Sequence, residues 1–281
     1  MRYTPKRQWK YPLSYERYYS KILLSYVRAI FSLYNGLKEV ANNVIDNNSI
    51  NVDSDDDVTE TIIEQIKAKI ASDDEMAIKV SGVFDGTNDF NRAEFDAIMK
   101  SIKVDAISHE RWYNEYKNQW VNDNMALIKS IKDEALRRIQ SEMREAITGT
   151  LEKGVRDKLL ANRIRDLTGV TEKRALLIAR DQIGKLNSKV TEYRQRGTGI
   201  KQYKWSTSHD SRVRPAHAER EGQIYDWDKP PGDGHPGQPI RCRCIALPVI
   251  DFNNLAGQGL YQPRANRMAV SEAMRALGVP R

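Results

Sequence analysis

Cysteine is nearly missing from this chain: 281 residues contain two, Cys242 and Cys244. One residue apart, they would close a badly strained ring, which excludes a disulfide framework. They are read as reduced thiols in a protein made in a cytosol. Also missing is any apolar run near the roughly 18 to 20 residues of a bilayer span. The basic start, MRYTPKRQWKYPL, lacks the apolar core of a secretory signal. No membrane partner is therefore expected. Proline is scarce outside one stretch, and six of the ten prolines fall between Trp205 and Pro248.

What is present is mostly helical periodicity. From Ser14 to about Val44, apolar residues recur at Ile22, Val27, Ile30, Leu33, Leu37, Val40 and Val44, the spacing of one helix face. The same arm holds Trp9, Tyr11, Tyr15, Tyr18 and Tyr19, which suit a helix core or a docking face equally well, because tyrosine buries area while keeping a polar tip. The core reading is favoured. An Asn/Asp-rich link follows. Asp53, Asp55, Asp57 and Glu64 fit positions 1, 3, 5 and 12 of a calcium loop, but Val58 stands where that loop needs glycine. A helix with acids in its first turn is the plainer reading. A short helix is expected over Asp74–Val80, a turn at Phe84-Asp85-Gly86, a helix from Asn91, and a long one from about Ser108 to Ile147. Leu159 to Arg196 reads as helix with a stop at Gly169 and a restart at Thr171.

Charge is unevenly distributed. Residues 46–110 carry 16 acids against 6 bases, whereas residues 137–220 carry 20 bases against 10 acids. Such blocks point to different partners for different segments, or to helical faces that attract each other. Lys173, Arg174, Arg180, Lys185, Lys189, Arg194 and Arg196 would lie on the exposed side of the second helical region. A row of this kind could follow the phosphates of double-stranded DNA without reading sequence, since interleaved aromatics are lacking.

Periodicity changes after Gly199. Residues 200–207 alternate as a half-buried strand, Gly222–Trp227 reads as a second, and Arg241–Val249 as a third, with Pro248 pointing to an edge. Between them, PPGDGHPGQP (residues 230–239) must be a loop. Cys242 and Cys244 on one strand would share a face. With His217 and His235 they could complete a tetrahedral zinc site, although two buried thiols are also ordinary core residues. A Cys–His nucleophile lacks any recognisable oxyanion turn. A metal-dependent nuclease or hydrolase using Asp210, His217 and His235 is the enzymatic alternative, but enzyme activity is not expected. Asp210 would cap a turn, and Arg212 and Arg214 would bond carbonyls of the loop, making a structural knot.

The order Trp205-x-Thr207-x-x-Asp210-x-Arg212-Val213-Arg214-x-x-His217, then Gly222, His235-Pro236-Gly237, Cys242-Arg243-Cys244 and Pro248, resembles the phage Mu F-like, or head morphogenesis, minor head proteins. Gly169-Val170, Arg174-Ala175, Ile178 to Gln182 and Asn187 resemble the segment preceding that motif. The resemblance covers about 160 to 250. It implies a minor capsid component of a tailed double-stranded-DNA phage, located in the virion head near the portal vertex. Its implied partners are the portal protein, a major capsid or scaffold protein and packaged DNA. Some family members carry cysteines where this chain has Arg214 and His217. The fold expected is mostly α, a long helical arm or bundle with a small α+β module near the C-terminus. Its expected divisions are 1–158 (helical docking arm), 159–250 (head morphogenesis module) and 251–281 (tail).

Overall fold

A computed structural model describes residues 2–5, 9–46, 52–102, 104–106, 110–148, 153–251 and 261–263. The protein is mostly α with a small antiparallel sheet near the C-terminus. Five long helices dominate: α1 (Leu13–Asp46), α2 (Val52–Lys69), α3 (Asp73–Ser101), α4 (Tyr113–Thr148) and α5 (Lys153–Gly197). A one-turn helix, α6 (Pro215–Glu219), interrupts the strands β1 (Arg2–Tyr3), β2 (Val104–Ala106), β3 (Gln202–Ser206), β4 (Ile224–Asp226), β5 (Ile245–Asp251) and β6 (Tyr261–Pro263). Most of the expected tail, 251–281, lies outside the described residues.

The helix starts obey local chemistry. Ser72 caps α3: its Oγ accepts the Glu75 amide at 3.2 Å, and the Glu75 carboxylate accepts the Ser72 amide at 3.1 Å. This reciprocal box satisfies two amides that would otherwise lack partners. The expected turn at Phe84-Asp85-Gly86 does not form, because α3 runs straight through it. Phe84 is fully buried against the rings of Tyr113, Tyr116 and Trp120. A Cβ on Gly86 would clash with the Cε1 edge of the Tyr15 ring. Close packing, not turn formation, explains that glycine. α5 likewise continues through Gly169. The Thr168 and Thr171 hydroxyls donate to the carbonyls of Ile164 and Leu167 one turn back, at 2.7 and 2.8 Å, sharing those acceptors with the helix ladder. Residues 52–69 are helical throughout, so the calcium-loop alternative has no loop there.

Contacts divide the protein into two compact units, both discontinuous in sequence. One comprises 17–82 and 121–179, the other 1–16, 83–120 and 180–281. Among the described residues, the regular elements of the first are all helices. Leu23, Val27, Ile30, Phe31 and Tyr34 of α1, Ile62, Ile63 and Ile66 of α2, and Ile128, Ile131, Ile139 and Met143 of α4 are buried at helical spacing. Around them, Arg28 pairs with Glu172 at 2.7 Å, Arg163 with Glu142 at 3.0 Å, and Arg174 with Glu134.

The second unit holds the sheet, in the order β1-β5-β3-β4, with a separate β2-β6 pair. β5 is central by order. Its partner β1 reaches only Ile250 and Asp251, so Pro248, opposite Tyr203, lies beyond the end of that ladder. The missing proline amide is tolerated there without an edge strand. Successive residues of β5 serve two cores. Ile245 and Leu247 join Trp9, Phe95, Ile98 and Met99, whereas Ala246 joins Tyr203, Trp205, Trp227, Cys242 and Cys244. Gln195, fully buried near the end of α5, donates to the Ala246 carbonyl at 2.8 Å and accepts the Trp227 indole at 3.0 Å.

Candidate functional site

The chemistry-bearing residues gather where α6, the 230–239 loop and the chain entering β5 meet. Cys242 and Cys244 precede β5 rather than lying on it, since the strand begins at Ile245. Arg241 adopts φ +61°, and the bend it makes leaves both sulfurs on one histidine. His217, in the middle of α6, brings Nδ1 to 3.5 Å from each Sγ. The three donor atoms lie within 4.8 Å of one another, and all three residues are buried. Pro215 starts this short helix with its φ already near the helical value.

The other face of His217 is also engaged. Nε2 lies 3.0 Å from the Asp233 carboxylate, which Arg220 also holds. Arg220 stacks its guanidinium over Trp205 at 5.0 Å, and Trp205 meets the His217 ring edge-on at 5.2 Å. Burial raises the Asp233 pKa, but the hydrogen bonds from His217 and Arg220 outweigh it and leave the group below the usual carboxylate range. The Cys242 sulfur accepts the amides of Gly237 and Cys244, each at 3.4 Å. The hydrogen bond shared with Cys244, opposed by burial and aided by those amides, holds the Cys242 thiol below the ordinary cysteine value. Cys244 is pushed up, first by that same hydrogen bond and then by burial.

Glycine seats the loop. Gly237, at φ +88°, would place a Cβ 3.0 Å from the Gly184 carbonyl oxygen and 3.0 Å from the Ser188 Cβ. A Cβ on Gly184 would in turn meet the Cys242 carbonyl oxygen at 3.1 Å. Two glycines thus let the loop lie directly on α5. Gly222, at φ +76°, closes the turn before β4 by donating its amide to the Trp205 carbonyl at 2.9 Å.

His235 does not join the three-donor group. Its Nδ1 lies 2.9 Å from the Tyr203 hydroxyl, and its ring is packed on Trp227 at 4.8 Å. Burial holds its pKa below the ordinary histidine value. Asp210 forms the expected turn: it accepts the Arg212 amide at 3.0 Å and its guanidinium at 2.6 Å. Arg214 donates to the Ile240 carbonyl. Arg243 pairs with Glu16 across 227 residues of sequence, at 2.6 and 3.2 Å, and Arg180 joins the same carboxylate. A cavity of about 310 Å³ opens beside the cluster, with the three donors, Asp210 and the arginines 180, 212, 214, 241 and 243 among its walls.

The expected cation row is largely committed elsewhere. Arg194 is fully buried, bonded to Asn88, Asn91 and Glu110, which corrects its placement on an exposed face. Arg174, Arg180, Lys185, Lys189 and Arg196 each pair with an acid, while Lys173 is exposed. Of the aromatic arm, Trp9 and Tyr19 are core residues. Tyr19 bonds Asn124 at 2.9 Å, Tyr15 packs on Phe90, and Tyr11 is half-buried under Arg243. Tyr18 is the exposed one, at 50%.

The site thus defines a class: a helical protein whose C-terminal module is a sheet-and-loop knot tied by His217, Cys242 and Cys244. Residues 141–247 match the family described as Phage Mu protein F like protein, so the chain carries a phage Mu F-like region. It is also 45% identical over 140 residues to an uncharacterized protein of Haemophilus influenzae (strain ATCC 51907 / DSM 11121 / KW20 / Rd). That alignment covers 50% of this chain and 30% of the relative, so the chain spans about a third of the relative's length. No solved structure matches.

Proposed function

We propose that this protein acts in phage head morphogenesis, as a minor head component that binds the portal or another shell protein inside the procapsid. The observation that carries this reading is the match of residues 141–247 to the phage Mu F-like family. The knot supports it, because its polar side chains are largely spent on one another. Asp210 holds Arg212, Asp233 holds His217 and Arg220, and Glu16 holds Arg180 and Arg243. Groups locked in this way make a rigid element for assembly. DNA contact is a minor part of the function on this reading, since most cations of α5 already face acids. The localisation proposed is the virion head.

Procapsids purified from producing cells test the proposal. The protein should co-sediment with them and be retained by the immobilised portal protein. Absence from washed heads would remove the structural role. Plasmid DNA incubated with divalent ions should stay intact; cleavage that disappears in His217→Ala would favour the hydrolase alternative.

A further inference from the structure

We propose that His217, Cys242 and Cys244 bind a zinc ion through Nδ1 and two thiolates, and that the fourth coordination position faces the arginine-lined cavity, where water exchanges with a phosphate-type oxyanion. The spacing carries the first half. Tetrahedral zinc with S and N bonds of about 2.3 and 2.05 Å separates a sulfur from a nitrogen by about 3.6 Å. The two Nδ1–Sγ distances are 3.5 Å.

Three further features fit a metal ligand set. His217 turns its remaining nitrogen to the Asp233 carboxylate, the outer partner that fixes a ligating imidazole's orientation and raises its basicity. Two backbone amides point at the Cys242 sulfur, as they would at a thiolate. The backbone that aims them is held by positive-φ residues and by the Gly184–Gly237 approach. Thiolate with imidazole selects zinc over magnesium or calcium, which prefer oxygen.

The second half rests on what surrounds the trio. Among the described residues no fourth His, Cys, Asp or Glu joins the group. His235 is turned to Tyr203, and Asp233 is occupied by His217 and Arg220. The cavity that the three donors line contains five arginines and one carboxylate, Asp210, already bound to Arg212. Glu16 balances part of the charge of Arg180 and Arg243. A cationic cavity beside an open metal position is suited to an oxyanion, with the guanidinium planes supplying paired donors.

Elemental analysis of the purified full chain should find one zinc per molecule. Removing it with a chelator should lower the Tm, and added zinc should restore it. Cys242→Ser/Cys244→Ser and His217→Ala should lose the metal, whereas His217→Cys and His235→Ala should keep it. A wild-type protein without zinc, whose Tm ignores both chelator and added zinc, overturns the proposal without reliance on any variant. For the open position, cobalt(II) replaces zinc and inorganic phosphate is titrated in. The visible bands should shift on titration, and Arg212→Ala, at another cavity wall residue, should weaken that response about tenfold while cobalt content stays the same. Bands indifferent to phosphate would show a closed, purely structural site and end the second half.

Discussion

Replacing Arg194 with leucine isolates the energetics of the buried polar network. The side chain has no exposure, and its guanidinium serves Glu110 at 2.8 Å, Asn88 at 2.6 Å and Asn91, with the Trp112 ring 5.6 Å away. Leucine removes all of these donors. The Asn88 and Asn91 amide oxygens then lose a partner, at about 1–3 kcal/mol each. Glu110 keeps Arg92 and is partly exposed, so its loss is smaller. The arginine's own desolvation is relieved, which offsets part of the total. A net destabilisation of about 3–5 kcal/mol follows, within the range for removing one partner of a buried pair. The control is Arg28→Ala, whose bond to Glu172 is largely exposed on the arginine side and should contribute under about 1 kcal/mol. Urea denaturation followed by circular dichroism measures both, read as a change in midpoint at constant slope. Equal midpoints for Arg194→Leu and wild type would refute the network as a stabilising element. An Arg194→Leu variant that stays folded but loses DNA retention would restore this residue to the surface role that its place in the basic run implies.

Gly86→Ala should cost about 1–3 kcal/mol, because its Cβ meets the Tyr15 ring; a Tyr15→Leu background should recover part of that loss in thermal melts. Gly237→Ala combines a strained φ with contacts to Gly184 and Ser188, so it should be at least as destabilising and should speed alkylation of the Cys242 thiol. His235 has a folded pKa below its unfolded value, so the unfolded chain binds more protons between the two. Stability should fall as pH drops from about 6.5 through the folded pKa, and His235→Phe should flatten that slope in pH-dependent urea titrations. Glu16 is also held low: burial raises its pKa, but the bonds from Arg243 and other partners outweigh that. Its contribution is present above the ordinary glutamate range and is lost as pH falls through the folded value; Arg243→Ala should remove most of that acid dependence.

Strongly periodic elements were legible in the residues alone. Val27, Ile30 and Leu37 on the α1 face, the alternation from Gln202 to Ser206 and the Pro/Gly loop at 230–239 all follow from side-chain spacing and backbone preference, whereas Ile22 and Leu33 of the expected face are only half-buried. So did the meeting of His217 with two cysteines as a chemical possibility. Local breakers misled where packing outweighed them. Phe84-Asp85-Gly86 has turn chemistry, yet burial of Phe84 and the Tyr15 ring against Gly86 keep it helical. Asp233 was concealed among loop residues, and only its place beside His217 identifies it as an orienting group.

The amino-acid order by itself determined the helical class, the strand-and-loop module and the motif that matches a phage Mu F-like region, because each is written in short-range spacing. Which cations reach solvent, which histidine faces the thiols and which carboxylate holds Arg243 were decided by tertiary structure. Those outcomes depend on contacts such as Glu16 with Arg243 and Asn91 with Arg194, separated by 227 and 103 residues. No local periodicity encodes a pairing at that range. It is set by which burial arrangement satisfies every charge at once.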